Sequence, residues 1–363
     1  MAQVKRRQIF LGLVGFGMSL IVASCTTSAP PDTGADAGAE TSTEASADAG
    51  AEASAEGAMP ETIRIGHQVI PNAETLAKAM GLADEAFPDT EVEYISFASG
   101  RDVNTAMAGQ SVDMALLGSV GVGVGIAQKL PYEVFFIHDV IGEAEALAVK
   151  DGISEIADLS GTKLAVPFGS TTHFVLLSLM DMEGLGSQDV TVLDLQPQDM
   201  VAAWQRGDID GGYVWYPHLQ RMLDEGGSVL ITSADMSDRG VITADVGIVS
   251  EDFMAEYPDA VQQYIAMLDE AINFYREDPE AAAETIAPEL GLTPEESLQA
   301  MEKLIWLTSE EQAAPEYLGT PDQPGEFAQV LKDSADFMVT QDTIQSAPEL
   351  KAYQEILNPE VLK

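Results

Sequence analysis

A group of hydroxyl side chains at the start of a predicted helix is the part of this sequence best suited to binding a ligand. The group consists of Ser170, Thr171 and Thr172, with His173 directly after it. It follows a short apolar run and a Pro-Phe-Gly turn, and an apolar segment of helical length comes next. A helix that begins after such a turn presents unpaired backbone N–H groups, which can bind an anion. The same residues would also make an ordinary helix cap without any ligand.

The elements that would position this group alternate between strand and helix. The predicted strands cover residues 63–66, 92–97, 112–116, 132–137, 144–149, 164–166, 212–214 and 246–249. One predicted helix is capped by residues 99–102 and ends at residue 108. The other predicted helices cover residues 74–86, 120–128, 174–182, 252–257, 259–276, 279–287, 294–305, 326–339 and 348–356. Apolar residues at three and four spacing, with Pro or Asp at the starts, favour the C-terminal helices.

The alternation predicts an α/β protein of two lobes around a ligand cleft. The first lobe would contain residues 61–149 and the second residues 150–244. Residues 245–363 would then return to the first lobe with a strand and the closing helices. Loop groups at the carboxyl ends of strands, such as Gln68 after the first strand, would face the cleft.

The N-terminus predicts an export signal over residues 1–24. Lys5, Arg6 and Arg7 give the positive start, an apolar core follows, and small residues precede Cys25. This ending resembles a lipoprotein processing site, so we expect lipid on Cys25 and a membrane anchor outside the cytoplasm. The paired arginines leave twin-arginine export open beside ordinary secretion. Cys25 is the only cysteine, which excludes an intrachain disulfide and a cysteine zinc site.

Residues 25–60 predict a flexible acidic tether rather than a folded segment. They are mainly Ala, Gly, Ser and Thr, with an acid at about every fourth position and no basic partner. Same-sign charges four residues apart repel, so the spacing does not favour a helix. The segment is typical of a spacer between a lipid and a folded body.

The composition narrows the possible partners. The 363 residues include 17 basic and 60 acidic side chains, a formal charge of −43. A nucleic-acid partner is therefore not expected, because phosphate binding needs clustered Lys and Arg. The acidity is typical of halophilic proteins and also fits a solvated surface with no specific partner. The four histidines are dispersed and lack metal-ligand spacing, so no metal or other cofactor is predicted.

Several motifs in order give a specific resemblance. After Ser-Thr-Thr-His-Phe come Leu-Gln-Pro at 195–197, Ala-Ala-Trp-Gln-Arg-Gly-Asp-Ile-Asp-Gly at 202–211, and Tyr-Val-Trp-Tyr-Pro at 213–217. In these motifs the chain resembles the solute-binding subunits of bacterial ABC importers for taurine. They belong to a wider group that captures sulfonates, nitrate and thiamine precursors. The resemblance extends from about residue 62 to 318 and implies the two-lobed type II fold of periplasmic binding proteins.

The resemblance also implies a set of ligand-binding residues. They are Gln68, Ser119, Glu145, Ser170, Thr171, Thr172, His173, Trp215 and Asp245. Ser119, the Ser/Thr group and the helix N-terminus would bind the sulfonate, and His173 could add a donor. Glu145 and Asp245, at the two crossings between lobes, would bind the ammonium. Trp215 would either lie over the ammonium or pack at the hinge.

The expected function is a monomeric, lipid-anchored receptor that is not an enzyme. It would deliver taurine or a related small sulfonate to a membrane permease powered by an ATPase. One alternative is a receptor for another small anion, such as an alkanesulfonate or nitrate, because Val120 and Gly121 depart from the family pattern in the sulfonate loop. Another is a protein that binds or transforms thiamine precursors on the same fold. Asp208 and Asp210 resemble paired catalytic carboxylates but are expected to form a structural turn.

Overall fold

The computed structural model describes residues 59–362. The predicted export signal, Cys25 and nearly all of the predicted tether lie outside the described residues. Within the described part, strands and helices alternate up to residue 250, and helices predominate afterwards.

The strands and helices have the following bounds. The strands are β1 (Thr62–His67), β2 (Glu91–Ser96), β3 (Met114–Gly118), β4 (Tyr132–Ile141), β5 (Glu145–Val149), β6 (Lys163–Val166), β7 (Thr191–Asp194), β8 (Gly211–Trp215), β9 (Ser228–Thr232), β10 (Ala244–Ser250), β11 (Leu304–Trp306), β12 (Gly319–Thr320) and β13 (Gln323–Pro324). The helices are α1 (Ala73–Met80), α2 (Leu82–Ala86), α3 (Gly100–Ala108), α4 (Ser119–Ala127), α5 (Thr171–Glu183), α6 (Pro197–Arg206), α7 (His218–Asp224), α8 (Ser233–Ser237), α9 (Glu251–Glu256), α10 (Pro258–Glu277), α11 (Pro279–Leu290), α12 (Pro294–Met301), α13 (Ser309–Gln312), α14 (Phe327–Thr340) and α15 (Leu350–Glu355). Short 3-10 turns occur at Ile156–Leu159 and Pro359–Leu362.

Two mixed sheets organise the described residues. The first has the strand order β11-β4-β10-β3-β1-β2, and the second has the order β7-β6-β8-β5-β9. In the first, β1 is parallel to β2 and β3, while β10 is antiparallel to β3 and β4. In the second, β6 is parallel to β7 and β8, and β5 is antiparallel to β8 and β9.

The chain passes between the sheets twice. Residues 142–144 join β4 to β5, and the segment after β9, which includes α8, leads to β10. Glu145 is therefore the first residue of the second sheet, and Asp245 follows the first residue of the returning strand. The predicted lobe boundary lies after Val149, whereas strand pairing places residues 145–149 in the second sheet.

Buried apolar side chains cover both faces of each sheet. On the first sheet, α1, α10 and α11 supply one cluster, and α3, α4 and α14 supply the other. On the second sheet, α6 and α7 pack on one face, and α5 and α8 pack on the other. This two-sided cover explains why β5 and β8 have every residue buried, as is typical of sheets with helices on both faces.

Residue preferences explain many of the helix ends. Asn72 caps α1 by accepting a hydrogen bond from the Thr75 backbone N–H, and Ser170 caps α5 in the same way. Gly184 and Gly207 end α5 and α6 in the left-handed conformation, which glycine adopts without steric cost.

Two predicted helices are wrong in their extent. The helix predicted over residues 74–86 is two helices, because Gly81 adopts the left-handed conformation between them. The helix predicted over residues 294–305 ends at Met301, and Leu304–Trp306 forms strand β11 beside β4. The apolar spacing at 304–306 fits either structure, and pairing with β4 selects the strand.

The glycines of α4 are explained by close packing. A Cβ at Gly123 would lie 2.8 Å from the Leu331 carbonyl oxygen of α14, and one at Gly125 would clash with the Tyr132 hydroxyl. Small residues here therefore let α14 and β4 approach the helix directly.

Across residues 59–362, no helix combines the length and apolar composition that crossing a membrane would require.

Candidate functional site

One cavity is lined by segments that belong to both sheets. Gln68 follows β1, Gly118 ends β3, Thr171 begins α5 and Trp215 ends β8, and all four line it. The empty space among the lining residues, including the part open to solvent, is about 530 Å³. None of the described residues that line the cavity is Lys or Arg.

Three helices direct their N-termini at this cavity. Gly100 is the first residue of α3, Gly118 is the N-cap of α4, and Ser170 is the N-cap of α5. The first N–H groups of a helix have no acceptor within the helix, and that end carries partial positive charge. The cavity therefore has the means to hold an anion without a basic side chain.

The hydroxyl groups of Ser170 and Thr171 are already engaged. The Ser170 hydroxyl donates to the Pro167 carbonyl oxygen at 2.6 Å and accepts from the His173 backbone N–H at 3.2 Å. The Thr171 hydroxyl donates to Glu145 Oε1 at 2.6 Å. Both residues line the cavity, and what they offer an anion is mainly backbone N–H.

Three predicted residues, Ser119, Thr172 and His173, are not part of the lining. Thr172 is fully buried, with Oγ1 at 2.8 Å from Ser170 Oγ. Ser119 Oγ accepts from the Ala244 backbone N–H at 3.3 Å, which ties the start of α4 to the start of β10.

His173 supports the turn before α5. Its ring stacks on Phe168 with 4.4 Å between centroids, and Nδ1 accepts from the Gly169 backbone N–H at 3.2 Å. Burial lowers the pKa of His173 to about 4, so the ring is neutral at pH 7.

Two predicted carboxyl groups meet in the cavity lining. Glu145 is buried, and its second oxygen accepts from the Ser233 hydroxyl at 3.3 Å. Burial, and next the charge of Asp245, raise the pKa of Glu145 to about 8. Burial likewise raises the pKa of Asp245 to about 7. Removal from water disfavours the charged forms, and a cation placed between these acids would favour their ionisation.

Trp215 and Gln68 complete the predicted set. Trp215 is the cross-strand neighbour of Glu145, so both side chains lie on one face of the second sheet. Its side chain also packs in the apolar cluster under α6 and α7. Gln68 donates from Nε2 to the Leu116 carbonyl oxygen at 3.4 Å.

Sequence reasoning missed several residues of the site. Ile141 and Leu304, which pair across β4 and β11, line the cavity. Asp139, two residues before Ile141, is fully buried, and neither carboxyl oxygen has a hydrogen-bond partner among the described residues. An acid within an apolar run was the available signal, but the predicted strand stopped at residue 137.

The paired carboxylates at 208 and 210 lie outside this cavity. Asp208 accepts from Arg206 Nε at 2.7 Å, and Asp210 accepts from the Lys163 backbone N–H at 2.8 Å. These contacts are those of a structural turn. Within residues 59–362, no group of three or more His, Cys, Asp or Glu side chains is arranged to hold a metal ion.

The sequence model of the NMT1-like family matches residues 56–288. The chain belongs to the NMT1-like family. The match includes every element that lines the cavity except β11.

Two relatives of this NMT1-like protein come from Escherichia coli. The taurine-binding periplasmic protein is 39% identical over 189 residues, which are 52% of this chain and 59% of that protein. The match therefore spans less than two thirds of that relative. A putative aliphatic sulfonates-binding protein is 26% identical over 236 residues, which are 64% of this chain and 73% of the relative.

A solved structure shows the fold. The periplasmic aliphatic sulphonate binding protein of Escherichia coli aligns with a TM-score of 0.66 at 22% identity, over 83% of this chain and 93% of that chain. This NMT1-like protein thus has the mixed α/β fold of the periplasmic binding proteins, as its motifs predict.

Proposed function

We propose that this NMT1-like protein is the extracytoplasmic solute-binding subunit of an ABC importer and that it captures taurine. Taurine carries a sulfonate and an ammonium two carbons apart. The observation that carries the proposal is one cavity with three helix N-termini and the carboxyl groups of Glu145 and Asp245. The taurine-binding and sulfonate-binding relatives support this ligand class.

The sulfonate would lie against the helix N-termini. A sulfonate stays anionic across biological pH, so it always needs donors. Backbone N–H groups at the starts of α4 and α5 supply them, while the hydroxyls of Ser170 and Thr171 hold the local structure. Ser119, Thr172 and His173 then act by fixing these helix starts rather than by contact.

The ammonium would lie between Glu145 and Asp245. An ammonium offers three N–H donors, and charge-assisted hydrogen bonds to carboxylates are short and strong. Trp215, beside Glu145 on the same sheet face, would add a cation–π contact of about 0.5–2 kcal/mol. Gln68, across the cavity, would donate to the ligand from the first sheet.

Transport would follow from closure of two lobes built on the two sheets. Ligand that contacts both lobes stabilises the closed form, which a membrane permease and its ATPase would then recognise. The predicted signal and Cys25 would place the receptor outside the cytoplasm as a lipid-anchored monomer. The proposal includes no enzymatic step, and the Ser170 hydroxyl donates to the Pro167 carbonyl oxygen rather than to a base.

Calorimetric titration with taurine tests the proposal directly. We expect saturable heat at a stoichiometry of one and a taurine-dependent rise in the melting temperature. If neither taurine nor any short sulfonate gives heat or a thermal shift, the ligand assignment is wrong.

A receptor for a simple anion is the second candidate. It is favoured by the engagement of Glu145 with Thr171 and Ser233, which satisfies that carboxyl group without an ammonium. Asp245→Asn separates the two candidates. A taurine receptor should lose about 30-fold or more in taurine affinity, because the ammonium is left partly unpaired. A simple-anion receptor should bind ethanesulfonate or nitrate no worse than before.

A further inference from the structure

A third carboxyl group lies directly beneath the cavity. Ile141 on β4 pairs with Leu304 on β11, and both line the cavity. The next pair on these strands with side chains on the same sheet face is Asp139 with Trp306. The Asp139 side chain therefore lies on the same face of the sheet as the cavity-lining Ile141, two residues earlier on β4.

Asp139 is also the cross-strand neighbour of Asp245. The register places Asp139 opposite Asp245 between β4 and β10, and the next pair is Ile137 with Val246. His138 is thus an extra residue in β4, a bulge of the kind that re-aims neighbouring side chains. Directly opposed residues of antiparallel strands have Cβ atoms about 4.5–5.5 Å apart, so like charges here repel.

Among the described residues, no cation compensates the charge of Asp139. The charged groups that act on it are Asp245 on β10 and Glu145 on β5, and both raise its pKa further after the larger effect of burial. Trp306 faces it from β11. His138, beside it on β4, is neutral because burial lowers its pKa to about 3.

Three acids in one buried cluster cannot all be ionised without a cation. Two carboxyl groups in close contact lose their protons in separate steps that belong to the pair. Asp139 is fully buried and has no hydrogen-bond partner among the described residues, so its charged form is strongly disfavoured. The empty cavity must therefore retain at least one proton in this cluster near neutral pH.

We propose that Asp139 and Asp245 share a proton in the empty cavity and release it when a ligand ammonium enters. The ammonium forms no covalent bond. It replaces the proton as the positive charge between the carboxyl groups, and the proton passes to solvent. This inference rests on the proposed function and adds proton release as a property of ligand capture. Asp139 is a positioning residue, since it acts on the ammonium through Asp245.

The proposal fixes the sign of the pH dependence. Below a pH of about 7, Asp245 binds a proton in the empty cavity, and the ammonium must displace it. Taurine affinity should therefore fall as pH falls, by up to about tenfold per pH unit for one displaced proton. Ethanesulfonate, which lacks the ammonium, should show no such fall.

Calorimetry at pH 6.5 in two buffers of different ionisation enthalpy measures the released protons. For wild-type protein we expect at least one proton released with taurine and none with ethanesulfonate. In Asp139→Asn, release should drop to about half or less, and the affinity profile should shift to lower pH, because the amide cannot share a proton with Asp245 as a carboxyl group does. Glu74→Gln, which changes a buried acid outside the cavity lining, should release as many protons as wild type.

Each result of these titrations either supports or overturns the proposed proton release. Taurine binding without proton release, or equal release with ethanesulfonate, would overturn the inference even if Asp139→Asn fails to fold. So would an Asp139→Asn protein with wild-type release and an unchanged pH profile. If taurine does not bind wild-type protein at any pH, the proposed function itself fails, and the inference fails with it.

Discussion

Thr171 donates its hydroxyl to Glu145 Oε1 across 2.6 Å and thereby joins the first turn of α5 to the first residue of β5. From the sequence, Thr171 was expected at the sulfonate and Glu145 at the ammonium. The hydrogen bond connects the two ends of the proposed site. It also lowers the pKa of Glu145 against the larger opposing effect of burial.

Thr171→Val should weaken taurine binding about tenfold, because a hydrogen bond to a charged group contributes about 1.5–3 kcal/mol. Without the donor, the pKa of Glu145 should rise and fewer receptors should hold an ionised carboxylate at pH 7. Calorimetry across pH 6–9 checks this. Thr285→Val, whose hydroxyl donates to the Ala281 carbonyl oxygen within α11, is the matched control and should bind taurine normally. Unchanged affinity in Thr171→Val would contradict the role of this hydrogen bond.

Gly118→Ala should impair ligand capture by separating the start of α4 from the start of α5. A Cβ at Gly118 would lie 2.6 Å from Thr171 Cγ2, and overpacking of this kind costs about 1–3 kcal/mol. We expect about tenfold lower taurine affinity and a larger radius of gyration with ligand by X-ray scattering. Gly186→Ala is the control, since its nearest neighbour atom, Asp189 Oδ2, is 3.7 Å away. Wild-type affinity in Gly118→Ala would show that this close contact is not part of the bound state.

Much of the fold could be predicted because local signals and packing agree. Ser170, Gly184 and Gly207 mark helix ends by conformational preferences that hold in most contexts. The strand at 304–306 could not be predicted, because three apolar residues fit the end of a helix equally well. Its structure depends on pairing with β4, which is distant in sequence.

The predictable part of the candidate site comes from the sequence motifs and from the positions where the chain crosses between the sheets. The motif residues around 170 and 215 identify the segments that meet at the cavity, and most of the predicted residues line it. The sequence does not reveal that the Thr171 hydroxyl is engaged by Glu145, because that contact depends on the tertiary packing of α5 against β5. Asp139 was missed for a similar reason, since only the register between β4 and β10 places it opposite Asp245.

Arg101→Gln should speed ligand release modestly. Arg101 Nη1 on α3 contacts Asp194 Oδ2 at 2.8 Å, and the other Asp194 oxygen accepts from the Phe168 backbone N–H, so the pair bridges the two sheets. Both side chains are more than one third exposed, which limits the contribution to about 0.2–1 kcal/mol and a rise in the dissociation rate of at most about fivefold.

Stopped-flow tryptophan fluorescence at low and high salt checks this, and the difference from wild type should vanish at high salt. Arg206→Gln, which breaks a pair with Asp208 within one turn, should leave the dissociation rate unchanged. An equal effect of both variants would indicate general electrostatics instead of a bridge between sheets.

Glu74→Gln should stabilise the protein at high pH but not at low pH. Glu74 is buried and accepts a hydrogen bond from the Tyr264 hydroxyl, and burial raises its pKa from 4.5 to about 7. The folded state therefore keeps a proton that the unfolded state loses above pH 4.5, so this residue's contribution to stability falls as pH rises from 4.5 to about 7. The neutral amide can still accept from Tyr264 and escapes that loss.

Urea unfolding should show a variant more stable than wild type by on the order of 1–3 kcal/mol at pH 8 and nearly equal at pH 4. Glu284→Gln, at an exposed position of α11, should differ from wild type by less than about 0.5 kcal/mol at both pH values. A Glu74→Gln gain that is the same at pH 4 and pH 8 would mean that packing, and not the proton held by Glu74, sets the difference.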